Sequence, residues 1–346
     1  MGPPPYGPPP RRGGILRAIL ATLLLVILLD LILINLAIFA SIGAASTQSH
    51  ARQITLVDGN AEQIVAAIPV DGLITDDTAH QFDEFLSAAE ADKTVKAIVL
   101  EVDTPGGSAS ASDTMHHRLS VFRANMKAAN RNIPVIVSMG GMATSGGYYV
   151  SCGGDYIFAE PITMTANIGV LMPDFNIYEL MNKYGIKDTT IVGSGGTYKD
   201  LGSMFQPVND KATEYLQGLC DAMLDQFKKV VIEGRKSHLP ADTSDIFNGR
   251  VYMGPRAMEL GLVDKIGYRE DAYEYAQTAA NISGAKVVRY QPASTLEKLL
   301  DPDAIAHIAG PQAKGTQTIN LNGVNVDLHQ LADLLSPRPM YLWMGK

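Results

Sequence analysis

A mainly parallel α/β fold behind a single membrane-spanning helix is what this sequence predicts, and three observations carry it. Between Ile64 and about Tyr290, short β-branched runs alternate with helical stretches, the pattern of strands joined by helical crossovers. Residues 18–42 form an apolar run with one charge, Asp30. The chain has 346 residues, 46% of them hydrophobic and 18% charged, which suits a sizeable core and argues against a largely disordered chain.

In chain order, residues 1–17 form a Pro/Gly-rich tail, and residues 18–42 follow as the anchor. At 1.5 Å per residue the anchor is roughly 37 Å long, enough to cross about 30 Å of hydrocarbon with some tilt. Seventeen of its positions are Leu, Ile, Val or Phe. At about −0.5 kcal/mol each they outweigh the roughly +3 kcal/mol of Asp30. That carboxylate is either tolerated at this cost or marks a helix–helix contact. Arg11, Arg12 and Arg17 precede the run with no acidic residue among them, so the positive-inside rule predicts a single-pass protein of a bacterial-type cell membrane. Its amino end would be cytoplasmic and its body extracytoplasmic. A cleaved signal peptide is the rival reading, but its apolar region runs only about 7–15 residues.

Residues 43–62 read as a polar connector ending in a first strand, ITLVDG. Strand-like runs follow at 67–74, 95–103, 134–140 and 156–160. Met115, Leu119, Phe122 and Met126 make one apolar stripe on a helix between the second and third of these runs. A longer helix, about 209–236, carries Tyr215, Leu219, Met223, Phe227 and Val230. Together, residues 63–290 read as one α/β domain. The extension 291–346 has a weaker pattern, with one short amphipathic piece at 296–300, and its role is not readable.

Several classes are excluded. A net charge of −8 removes the bulk electrostatic case for nucleic acid. Two cysteines rule out a disulfide scaffold or a Cys-rich zinc module. Cys152 and Cys220 lie on apolar helical faces and read as buried thiols rather than a pair.

The chemistry concentrates in two Gly-rich turns. In the first, an apolar strand ends at Gly140-Gly141, a turn of small residues follows, and Ser145 opens a helical stretch. Ala143 and Gly147 flank Ser145 at minus two and plus two, as a sharp strand-to-helix elbow requires. Two readings fit this stretch. Either Ser145 caps the helix, or its hydroxyl is a nucleophile with the Gly146 N–H beside it to stabilise an oxyanion. In the second turn, VDTPGGSAS at 102–110, Gly106 and Gly107 expose backbone N–H groups at another strand end. An ordinary βα loop is the alternative there.

A nucleophilic serine needs a base. His116 and His117 are adjacent and diverge by about 100° on a helix, so they cannot share a metal. His238 follows Ser145 in triad order but has no clear acidic partner in the sequence. Lys199, in IVGSGGTYKDLGSMFQP, is the better candidate. A lysine serves as a base only when neutral, which requires desolvation to bring its pKa well below about 10.4. Its alternative is a solvated loop lysine paired with Asp200.

The segment MATSGGYYVSCGGDYIFAEP and the IGVLM after it resemble the nucleophile region of the signal peptide peptidase A family. So do TPGGS upstream, GTYKD downstream and NGRVYMGPRAMELGLVDKIG at 248–267, all in the family's order. The resemblance runs from about residue 64 to 285. It implies the repeated β-β-α superhelix of the Clp protease and crotonases, and a membrane-anchored serine–lysine endopeptidase. Ser145 would be the nucleophile, Lys199 its base, and Gly107 and Gly146 the oxyanion donors. The family's hydroxyl residue that orients the base is replaced here by Asn167. The resemblance further implies a homo-oligomeric ring in which Ser145 and Lys199 meet across a subunit boundary. Remnant signal peptides and other unfolded membrane-side peptides would be the substrates, with no metal or organic cofactor. A catalytically silent peptide-binding or scaffold relative, and a serine esterase using His238, are the alternatives.

Overall fold

The β-branched runs become parallel strands because the chain buries them on both faces. In β2 (Asn60–Asp71), Val65 to Ile68 are buried, and in β3 (Val95–Thr104) almost every residue is. Two-sided burial is what removes the polar alternation expected of a half-exposed strand. The computed structural model describes Gly2 and residues 51–196, 198–292, 318–321, 324–327 and 340–342. The expected anchor at 18–42, with Asp30, and the short piece at 296–300 lie outside the described residues. Among the described residues no helix is long and apolar enough to cross a membrane.

Nine strands form the main sheet, in the order β1 (Ala51–Val57), β10 (Ala285–Pro292), β2, β3, β5 (Val135–Thr144), β6 (Tyr156–Ala159), β9 (Lys265–Ile266). β7 (Met164–Ala166) pairs with the far half of β5, and β8 (Val251–Met253) pairs with β7. Every pairing is parallel except β1 with β10 and β7 with β8. The mixed α/β architecture with a mostly parallel sheet is therefore as expected. The connector segment enters it: Ala51–Val57 forms an edge strand whose partner, β10, lies more than two hundred residues later.

Helix α1 (Asp76–Ala91) starts at a Thr75–Thr78 capping box and buries Phe82, Phe85 and Leu86. In α2 (Ala109–Ala128) the stripe Met115, Leu119, Phe122 and Met126 is buried as its spacing predicts. Short α3 (Gly146–Ser151) follows Ser145, and α4 (Tyr178–Lys183) lies in the long excursion after β7. The long helix α5 (Asp210–Arg235) departs from expectation. Phe227 and Val230 are buried, but Tyr215 and Leu219 are exposed. Its first half thus carries an apolar face beyond the body. After α6 (Gly254–Glu259), α7 (Arg269–Ala279) buries Ala272, Tyr273 and Ala276 in a second core cluster with Val65, Val99 and Ile136.

Strand β5 corrects the expected end at Gly140-Gly141. It continues to Thr144, its first half pairing with β6 and its second with β7. At the glycines the β3–β5 register shifts, and the Asp103 carboxylate accepts from the Met142 N–H at 3.0 Å in place of a ladder bond. A Cβ on Gly140 would lie 3.4 Å from that side chain, an ordinary van der Waals contact, so the register shift rather than a need for glycine marks this position. In the C-terminal extension, β11 (Thr318–Leu321) and β12 (Val324–Asp327) form an antiparallel pair. β13 (Met340–Leu342) pairs antiparallel with β4 (Gly106–Ser108).

Candidate active site

Ser145 stands where β5 ends and α3 begins. Its backbone has φ 54 and ψ −113, and its side chain makes no capping hydrogen bond. The cap reading of the sequence therefore has no support. A non-glycine residue in so sparse a region costs about 1–3 kcal/mol and persists only when its surroundings enforce it. The enforcement is visible. The Ser145 N–H donates to Ala166 O at 2.7 Å, and the Thr165 hydroxyl donates to Ala143 O at 2.8 Å. Ala166 and Asn167 themselves have φ of 69 and 54, so strained backbone gathers on both sides of one hydrogen bond. Ser145 is only 1% exposed.

α3 is anchored from two directions and braced by one bond within itself. Tyr148 Oη donates to Leu262 O at 2.8 Å, Tyr149 Oη donates to Asp113 at 2.5 Å, and Ser151 Oγ donates to Gly147 O at 2.7 Å. At Gly147 a Cβ would sit 2.5 Å from Thr104 Cγ2, so only a glycine lets the helix approach β3 this closely. The Gly146 N–H belongs to the first turn of α3, where backbone donors have no intrahelical acceptor.

Thr104 links this elbow to the second glycine turn, a role the sequence did not single out. Fully buried, it accepts from the Gly106 N–H at 3.0 Å and its hydroxyl donates to Gly72 O. It also pairs with Ala143 across the β3–β5 ladder. The turn is braced on its other side by Ile74, whose N–H donates to Gly106 O and whose carbonyl accepts from the Ser108 N–H, both at 2.8 Å. Gly106 and Ser108 spend their N–H groups on these internal bonds. That of Gly107 faces the opposite edge, because successive strand residues point their amides to alternate sides.

The candidate bases divide sharply. Lys199 is exposed, and its side chain has no hydrogen bond or ion pair among the described residues. The expected Asp200 partner is not engaged, and no hydrogen bond joins Lys199 to Ser145. Asn167 donates from Nδ2 to Gly249 O at 2.6 Å, which leaves its Oδ1 as an acceptor. Its left-handed backbone suits asparagine better than most side chains. His238 does have an acidic neighbour, contrary to the sequence reading: Nε2 lies 3.8 Å from Asp264. That carboxylate is already held by Arg235 at 2.7 and 3.0 Å and by the Ile157 N–H at 2.7 Å. No hydrogen bond links His238 to Ser145 either.

His116 packs edge-on against the Tyr149 ring, centroids 5.5 Å apart, and burial holds its pKa below the ordinary value. Cys152 and Cys220 are unpaired, and burial pushes the Cys152 thiol up to about 12. An inert, protonated thiol packed at the end of α3 is a structural group.

The model of peptidase family S49 matches residues 127–283. A protein of Methanocaldococcus jannaschii named as a protease is 37% identical over 213 residues, covering 61% of this chain and 65% of its own length. One of Enterococcus faecium named as a signal peptide peptidase is 31% identical over 252 residues, 70% of this chain and 71% of that one. Protease 4 of Salmonella typhi is 32% identical over 247 residues, 68% of this chain but 38% of the relative. The chain thus spans just under two thirds of the archaeal relative and much less of the Salmonella protein.

Proposed function

Because the chain belongs to peptidase family S49, the family of signal peptide peptidase A, we propose that it is a membrane-anchored serine endopeptidase working through a Ser145–Lys199 dyad. The observation that carries the reading is the strained, uncapped Ser145, tied to the Gly107 turn through Thr104. With that family goes the reading of the fold as the β-β-α superhelix shared with the Clp protease and crotonases.

The chemistry follows from the groups present. Ser145 Oγ attacks the carbonyl carbon of a peptide bond while the neutral amine of Lys199 takes the hydroxyl proton. Negative charge develops on the carbonyl oxygen and is met by the N–H groups of Gly146 and Gly107. The Lys199 ammonium then gives its proton to the departing amine, the C–N bond breaks, and an ester on Ser145 remains. Water, deprotonated by the same lysine, hydrolyses that ester. Asn167 Oδ1 is available to accept from the amine and aim its lone pair.

Two groups that must touch are separated in a single copy by environment: Ser145 is buried and Lys199 is in solvent. The chain on either side of Lys199 exposes large apolar side chains, with Ile191 95% exposed, Val208 75% and Tyr198 65%. A second copy covering this face would desolvate the lysine and supply the serine together. The reading is therefore a ring with sites shared between neighbours. The apolar run 18–42 and its three preceding arginines support anchoring, with the amino end cytoplasmic and the sites outside. Remnant signal peptides and other unfolded membrane-side segments are the substrates this placement favours.

Mixing the inactive Ser145→Ala and Lys199→Ala proteins tests the whole reading. Restored cleavage of a synthetic signal peptide is the expected result, since some boundaries then join an intact Ser145 to an intact Lys199. A mixture that stays dead after proven subunit exchange, or a fully active monomer, refutes the shared site.

A further inference from the structure

A polar cavity of about 350 Å³ opens at the carboxyl ends of the central strands, on the sheet face that α7 covers. Crevices outside the strand ends are where open α/β sheets hold ligands. Asp71 ends β2 opposite Asp103 of β3, Glu101 of β3 stands opposite Ser138 of β5, and Glu160 follows β6. Alternation along the strands sends the strand side chains to one face, that of Tyr273, whose hydroxyl donates to Glu101. Ser145 does not line this cavity.

Part of the lining is already satisfied. Arg289, from β10, lies 2.7 Å from Asp71 Oδ2 and 2.8 Å from Glu101 Oε2, and Asp103 Oδ1 accepts from the Met142 N–H. What remains is a set of acceptors. Asp103 Oδ2 lies over Gly140 with no hydrogen bond, and the Glu160 carboxylate has neither a hydrogen bond nor an ion pair among the described residues. Ser138 is the independent sign of a ligand. It is only 6% exposed and lines the cavity, yet its hydroxyl has no hydrogen-bond partner among the described residues. A buried hydroxyl is costly to leave so. The charge is unbalanced as well, four carboxylates facing Arg289 and Arg269. Burial, opposed by Arg289 and reinforced by Glu101 and Asp103, holds the Asp71 carboxyl above its ordinary value.

We propose that this cavity binds a primary ammonium group, which donates to Ser138 Oγ, Asp103 Oδ2 and the Glu160 carboxylate. An ammonium carries three N–H donors and no acceptor, the complement of three unspent oxygens. A hard divalent cation asks for six to eight oxygens, and among the described residues no three carboxylate, imidazole or thiol groups are placed to hold a metal ion. The volume admits a small free amine or the amino-terminal residue of a peptide, which present the same group. Nothing in the proposal depends on the peptidase reading.

The test titrates the full-length Ser145→Ala protein, in which the proposed nucleophile cannot consume a probe, with n-butylammonium chloride, followed by saturation-transfer NMR. Binding should saturate, weaken about tenfold or more in Glu160→Gln, and weaken several-fold in Ser138→Ala. Tetramethylammonium has the same charge but no N–H and should not bind. Trialanine and its N-acetyl form separate the two sources. Tighter binding of trialanine than of butylammonium, lost on acetylation, assigns the site to a peptide amino terminus; the reverse order assigns it to a free amine. No saturable binding, equal binding of tetramethylammonium, calcium bound in place of the amine, or affinity unchanged in both folded variants overturns the proposal.

Discussion

A single methyl on Gly107 probes whether this turn holds an oxyanion donor. An ideal Cβ at that residue would lie 2.7 Å from Ile74 N and 2.8 Å from Ile74 C, and nearer still to Ile74 O. All three are backbone atoms, so no side-chain rotation relieves the overlap. Because Ile74 O is the nearest of the three, restoring an ordinary 3.4 Å contact requires β4 and the turn at Ile74 to part by more than about 1 Å. That movement stretches both Ile74 hydrogen bonds, and with the overpacking it should cost about 2–4 kcal/mol of stability. It also carries the Gly107 N–H away from the position that the proposed mechanism gives to the substrate carbonyl. Loss of one such donor lowers kcat by about 10²–10³. The assay is kcat and KM on a quenched fluorescent peptide, with thermal unfolding and circular dichroism to show that the protein is folded. Gly185→Ala is the control: that glycine has φ +70 but nothing within 4 Å of its added Cβ, so it carries backbone strain without the clash. Gly185→Ala should keep kcat. A folded Gly107→Ala protein with kcat within about threefold of the wild type would refute the reasoning, since a lost oxyanion donor cannot be that cheap.

Ser145→Gly should abolish cleavage yet raise stability by about 1 kcal/mol in urea unfolding, because glycine accepts the strained backbone that serine is forced into; a destabilised variant would show that the strain is not there. Arg235→Met should lower stability by about 3–5 kcal/mol, since it strands the buried Asp264 carboxylate, and a urea midpoint unchanged from the wild type would contradict this. Burial lowers the pKa of His116, and its other influences are Asp113 and Glu233, which raise it, and Arg123 and His117, which lower it. The unfolded chain therefore protonates this ring first as the pH falls through about 6.5. Stability should be intact above that range and decline below it by at most about 1.4 kcal/mol per pH unit. His116→Phe should flatten that part of the curve, and an unaltered slope would show that the ring does not contribute.

What the sequence determined by itself is whatever rests on short-range pattern. The stripe Met115, Leu119, Phe122 and Met126 is buried because helical spacing places those residues on one face whatever they pack against. The parallel strands were legible for a similar reason, as β-branched runs too apolar to have a wet face. Ser145 and Gly107 could be marked from small residues at sharp turns. Other features depended on partners distant in the chain. β5 runs past Gly140-Gly141 because Asp103 and β7 complete its bonding, and neither is legible from the local pattern. Thr104 looked like one polar residue in a loop until the fold brought Gly72 and Gly106 to its hydroxyl. The exposed half of α5 and the solvated Lys199 could not be told from their own periodicity, because exposure depends on what fails to pack there. The same holds for β13. Three residues near the end of the chain carry no signal of their own destination, since strand pairing is chosen by whichever backbone edge the rest of the fold leaves open.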